Sequence, residues 1–292
     1  MPTLVELVDA RTADGLTLHG ALAVPANAPE RGSRPFDAVL MMHGHAGTFS
    51  DPFFRTFSDA LVERGYATLR ADNRGHDIVN RADRSGRMLG VALESVDDCV
   101  HDWRAWIDVL AERGFRRVLV WGHSLGAVKT AFYLSHETDA RVGACILASP
   151  PRFDPATYRM SERAADYAAN LAQARALIDD GTPGLLFRTT FPMPALAGPQ
   201  AYLDKYDAGS RYDLFSFVAD VRVPILAFTG ERELAEFSFA SHPSAYATML
   251  ERKPDIDHLI VPGGDHYSTG MQGWVIEQID AWLSRQPILA AT

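Results

Sequence analysis

Val118-Leu119-Val120-Trp121-Gly122-His123-Ser124-Leu125-Gly126-Ala127 decides how this chain is read. The first four residues are apolar and include two β-branched side chains and an aromatic one, as in a strand buried on both faces. Residues 127–136 then continue with helical spacing. Between the two runs, the glycines of a G-x-S-x-G pattern bracket Ser124. A turn that passes directly from strand to helix is so tight that side chains at the flanking positions would collide. Its strained backbone pushes the serine hydroxyl out at the top of the sheet. The pentapeptide alone recurs by chance, but its placement between a strand and a helix makes Ser124 a candidate nucleophile.

Upstream, residues 38–42 form another apolar block and residues 66–71 a further strand. The helical stretch 50–65 lies between them, with Phe54, Phe57, Leu61 and Val62 on one side. Residues 4–8 and 16–24 alternate apolar and polar around Asp14-Gly15, the pattern of an antiparallel hairpin. Residues 95–114 read as the clearest helix. Val96, Cys99, Trp103, Trp106, Ile107 and Leu110 form its stripe, Ser95 is its expected cap, and Gly114 its stop. Residues 142–148, 223–228 and 258–261 read as strands, and residues 271–284 as a final helix. Strands alternating with helices of this length predict a mostly parallel sheet with helices on both faces.

The rhythm breaks over residues 150–221, where an alanine-rich helix is expected at 161–180, followed by prolines, glycines and aromatics. Two units are therefore expected: a core of residues 1–149 and 222–292, and a helical cap of residues 150–221 over the carboxyl ends of the strands. Open α/β sheets bind their ligands at those ends. Phe187, Phe191, Met193 and Tyr202 are the candidate substrate contacts, because a cap with such side chains needs something apolar to cover.

Composition narrows the function. The 292 residues are 47% apolar and 22% charged, with a net charge of −9, so an acidic surface disfavours nucleic acid. No apolar run approaches the ~20 residues of a membrane span, and no signal peptide is seen at the N-terminus, so a cytoplasmic protein is expected. Cys99 and Cys145 read as reduced core residues. The partner is expected to be a small-molecule substrate, and the sequence leaves room for a homo-oligomer.

A serine hydroxyl needs a base. Among the histidines, His266 follows the last strand through Val261-Pro262-Gly263-Gly264-Asp265, a loop at a strand's carboxyl end that can meet Ser124. His19, His101, His123, His136, His242 and His258 read as structural. The carboxylate that orients the base is assigned to Glu233, in Gly230-Glu231-Arg232-Glu233 after the strand at 223–228, with Glu231 and Asp154 as alternatives. Backbone N–H donors for a developing oxyanion are expected from Leu125 and from His45, with Ala46 as the alternative, in the loop His43-Gly44-His45-Ala46-Gly47. His43 and His45 lack the surrounding pattern of a metal site, so neither metal nor cofactor is expected.

With these residues in the order serine, acid, histidine, and with Asp72-Asn73-Arg74-Gly75-His76 after an earlier strand, the chain resembles the α/β-hydrolase superfamily over nearly its full length. The resemblance implies the α/β-hydrolase fold with a helical lid insertion, and a serine esterase- or lipase-like activity through an acyl-enzyme. The bond cleaved is a carboxylic ester, lactone or thioester of a small or medium-sized, partly apolar substrate. It also implies that Arg74 and His76 serve as scaffolding. The sequence departs from the usual pattern in carrying Glu233 where aspartate is commoner. A carbon–carbon bond hydrolase or lyase on the same triad, and a silent ligand-binding relative, are the alternative functions.

Overall fold

A computed structural model describes residues 4–30, 32–81, 86–207, 209–235 and 243–288, without the side chains of residues 243–246. Eight strands form one sheet: β1 (Glu6–Arg11), β2 (Thr17–Ala23), β3 (Ala38–Met42), β4 (Ala67–Ala71), β5 (Val118–His123), β6 (Val142–Ala148), β7 (Ile225–Gly230) and β8 (Asp257–Val261). Their order across the sheet is β1-β2-β4-β3-β5-β6-β7-β8. The leading hairpin is antiparallel, β2 also meets β4 antiparallel, and every pairing from β4 onward is parallel.

The central strands read as continuous apolar runs because both of their faces are covered. Leu40 and Met42 of β3, Val120 of β5 and Leu147 of β6 enter one hydrophobic cluster. Their alternating neighbours Val39, Met41, Trp121 and Ile146 enter another on the opposite face. Helices α2 (Cys99–Glu112) and α3 (Leu125–His136) cover the first face, and α1 (Pro52–Glu63) and the C-terminal helix (Gln272–Leu283) cover the second. Cys99 and Cys145 are buried and unbonded to each other, and burial pushes the Cys145 thiol up to about 12.

Ser95 does not cap α2. The residue preceding the helix is Asp98, while the Ser95 hydroxyl donates to Asp204 at 3.0 Å, in the segment between β6 and β7. That segment contains the alanine-rich helix expected at 161–180, together with further elements. It holds α4 (Pro155–Met160), capped by Asp154, and α5 (Ala164–Asp179). A short ribbon of Phe187–Thr189 and Ala195–Ala197 follows, then α6 (Pro199–Asp207) and α7 (Leu214–Phe217). Tyr158, Tyr167, Phe191 and Tyr206 of this segment belong to the same hydrophobic cluster as the strand residues. A further helix, α8 (Pro243–Arg252), precedes β8, so the C-terminal helix is α9. No helix among the described residues is long and apolar enough to cross a membrane.

Candidate active site

Ser124 stands between β5 and α3 with φ 56° and ψ −126°, a left-handed backbone that non-glycine residues rarely adopt. The flanking glycines are dictated by space. A Cβ on Gly122 would lie 2.2 Å from the Gly126 carbonyl oxygen, and one on Gly126 would lie 2.4 Å from that of His43. Leu125 opens α3, so its N–H belongs to the first turn, where no intrahelical acceptor exists.

His266 lies on the loop after β8 and donates from Nδ1 to Glu233 Oε1 at 2.6 Å. Glu233 is buried in a single 3₁₀ turn, Glu231–Ala235, directly after β7. Its Oε2 accepts from the Ser149 hydroxyl at 2.7 Å and from the Gly230 N–H at 2.9 Å. The other two acids are engaged elsewhere. Glu231 accepts from the Gly263 N–H at 2.7 Å, and Asp154 caps α4 and binds Arg152 at 3.1 Å.

The loop after β3 is held from below. His43 donates from Nδ1 to the Gly44 carbonyl at 2.9 Å, and its Nε2 accepts the Asn73 N–H at 3.1 Å. Burial holds the ring neutral, with its pKa lowered to about 3. Because the peptide after Gly44 is trans, a carbonyl turned toward His43 sends the His45 N–H the opposite way. Ala46, the alternative donor, has φ 53°.

A pocket of about 290 Å³ gathers these elements: Gly44, His45, Ser124, Leu125 and His266 line it together with Tyr267. Its remaining wall comes largely from the segment between β6 and β7, through Pro151, Arg152, Phe153, Tyr158, Pro192, Met193, Lys205 and Tyr206. Of the four expected contacts, Met193 lines this pocket. Phe191 and Tyr202 instead line a smaller adjoining cavity. Phe187 lines neither, because its ring packs edge-on against Tyr202 inside the segment. Phe153, Tyr158 and Tyr206 were not expected there; among many aromatics, sequence spacing gives no sign of which face the pocket.

Other histidines have structural partners. His123 donates from Nε2 to the His266 carbonyl at 2.9 Å and packs against Phe53, and burial lowers its pKa to about 3. His19 meets Asp9 and His136 stacks on Phe132, while His242 lies outside the described residues. Arg74 is fully buried and binds Asp102 at 2.9 Å and Asp14 at 3.1 Å, and His76 meets Asp77 at 2.9 Å. Arg152 is claimed by Asp213 at 2.8 Å as well as by Asp154, and Arg188 is exposed. No group of three histidine, cysteine or acidic side chains placed to hold a metal occurs among the described residues.

One constellation escaped the sequence reading. Glu94, Lys129 and Lys205 form a buried cluster, with Glu94 Oε2 2.6 Å from Lys129 Nζ and Oε1 3.2 Å from Lys205 Nζ. Lys129 was the available signal, as a lone charge inside the apolar run of residues 127–134. Gly75 makes the room: a Cβ there would fall 2.2 Å from the Glu94 carboxylate.

An eight-stranded, mostly parallel sheet with a hairpin edge, helices on both faces and a nucleophile-elbow turn defines an α/β-hydrolase. The chain belongs to the family described as serine aminopeptidase S33, whose model matches residues 33–191. Three solved structures are similar in fold. Est1E from Butyrivibrio proteoclasticus is 18% identical, with 96% of this chain and 98% of that one covered at a TM-score of 0.67. The α/β-hydrolase GrgF from Penicillium sp. sh18 is also 18% identical, with 98% and 99% covered at 0.70. An esterase from Pyrococcus furiosus is 15% identical, with 97% and 92% covered at 0.64. No curated protein matches the sequence.

Proposed function

We propose that the protein hydrolyses an ester-like bond of a small or medium-sized, partly apolar substrate through an acyl-enzyme on Ser124. The observation that carries this reading is the 2.6 Å contact from the buried Glu233 to His266, which lines the same pocket as the strained Ser124. In the reaction, the Ser124 hydroxyl attacks the carbonyl carbon and gives its proton to His266 Nε2. Glu233 stabilises the imidazolium, and the N–H groups of Leu125 and His45 receive the oxyanion. Collapse of the tetrahedral species breaks the bond to the leaving group, which takes the proton from His266. Water, deprotonated by His266, then attacks the acyl-enzyme and releases the acid and the free serine.

The segment of residues 150–221 acts as a cap whose aromatic side chains receive the apolar part of the substrate. The esterase activity named for the Pyrococcus furiosus structure favours an ester among the acyl bonds such a site can cleave. The test is covalent labelling by a fluorophosphonate, followed by peptide mapping. The adduct is expected on Ser124, and Ser124→Ala is expected to lose both label and p-nitrophenyl acetate turnover. A fully active Ser124→Ala protein defeats the reading.

A further inference from the structure

One side chain of α6 reaches the floor of the site. Lys205 is only 6% exposed, and its ammonium donates to the Val91 carbonyl at 2.6 Å besides its ion pair with Glu94. Glu94 passes the contact to Lys129, which lies one turn beyond Leu125 on α3 and donates to Asn73 Oδ1 at 3.0 Å. The Asn73 N–H is the donor to His43, whose other nitrogen holds the Gly44 carbonyl. An unbroken run of buried polar contacts thus joins the segment between β6 and β7 to the peptide that carries the His45 N–H.

Such a cluster is a poor device for stability alone. Desolvating three charges offsets most of their attraction, and apolar side chains of similar volume often do as well. Here two ammonium groups share one carboxylate, which they hold ionised with a pKa lowered to about 2 against the effect of burial. Asp204, the neighbouring residue on α6, accepts from Ser95 and from the Val96 N–H, so one helix grips both ends of residues 91–96.

We infer that Lys205 is a positioning residue for the hydrolytic step: seated on Val91 and Glu94, it fixes Lys129 and Asn73 and, through His43, the Gly44–His45 peptide. The oxyanion donor is therefore set only when α6 is docked. This rests on the reading of the His45 N–H as that donor.

The test compares p-nitrophenyl acetate kinetics of the full chain with those of Lys205→Met, Lys129→Met and the double variant, each checked for folding by circular dichroism and melting. Lys129 does not line the pocket, so its side chain acts on the reaction indirectly. Both single variants are expected to lose about ten- to a hundredfold in kcat, with KM little changed, as for a slightly misplaced catalytic group. The double variant is expected to be no slower than the worse single, because both cut the same chain. An unchanged kcat, a change confined to KM, or losses that multiply in the double variant would overturn the inference. Lys205→Gln, which keeps a donor for Val91, replaces Lys205→Met if that variant does not fold, and failure of both to fold marks the cluster as purely structural and ends the inference. Fluorophosphonate labelling of the unaltered protein runs alongside. Without a Ser124 adduct the serine hydrolase reading itself fails, whereas a labelled protein with unaffected variants removes only the positioning role.

Discussion

Glu233 meets His266 with its second oxygen already taken by Ser149 and the Gly230 N–H. A carboxylate gripped at both oxygens cannot swing away. It therefore holds the imidazole in one tautomer, with Nδ1–H directed at Glu233.

Glu233→Gln should lower kcat about 10³- to 10⁴-fold at neutral pH, because the amide no longer enforces that tautomer or stabilises the imidazolium. Glu231→Gln keeps an acceptor for the Gly263 N–H and should stay close to the parent rate. Steady-state kinetics of the pair decide the acid, and the reverse ranking would move the role to Glu231.

Ser149→Ala removes a donor to Glu233 Oε2 and leaves the Gly230 N–H in place. The carboxylate loses restraint but keeps its partner, so kcat should fall roughly tenfold, near the value of one hydrogen bond. A loss as large as that of Glu233→Gln would mean that the hydroxyl does more than hold the acid.

Stability should decline in mild acid. His43 and His123 are kept neutral, with pKa values lowered from 6.5 to about 3. Below about pH 6.5 the unfolded chain therefore takes up protons that the folded one refuses, at about 1.4 kcal/mol per pH unit for each ring. Asp72 acts in the opposite sense: burial lifts it to about 6, so between about pH 4 and 6 the folded state holds the extra proton. Denaturant unfolding across that window should show a net loss of stability as pH falls, because His45 and His258, lowered to about 4, add to the effect of His43 and His123 and together they outweigh Asp72, and Asp72→Asn should make the slope steeper. A slope unchanged in that variant would show that Asp72 is ionised throughout.

Arg74→Ala should cost about 3–5 kcal/mol, since it takes the guanidinium away from the fully buried Asp102 carboxylate and leaves it the backbone N–H of residue 74. The melting temperature records the loss, and the fraction that stays folded should retain its kcat because the Arg74 side chain neither lines the pocket nor joins the contacts that run from Lys205 to His43.

The sheet and the elbow were legible because both follow from local rules. Val118 to Trp121 can only be a strand covered on both faces, and Gly122 and Gly126 sit where no Cβ fits. His266 and Glu233 were legible because each follows a strand's carboxyl end by a few residues. Ser95 was misread, since a hydroxyl ahead of a helix looks like a cap whether or not a distant aspartate claims it. Phe187 was misread for a related reason: burial within the segment and exposure to the pocket look alike in an apolar run. The partnership of Glu94, Lys129 and Lys205 spans more than a hundred residues of chain, and no periodicity relates its members.

The shared apolar cluster constrains protein engineering. Tyr158, Tyr167 and Phe191 pack into the same mass of side chains as Leu40 and Val120, so residues 150–221 cannot be exchanged as a detachable module. A chimera that borrows this stretch from a relative must import residues 91–96 with it, since α6 anchors there, or it will bury donors and acceptors without mates. Altered selectivity is more safely sought at Met193, which is partly exposed on the pocket wall and has no such obligation.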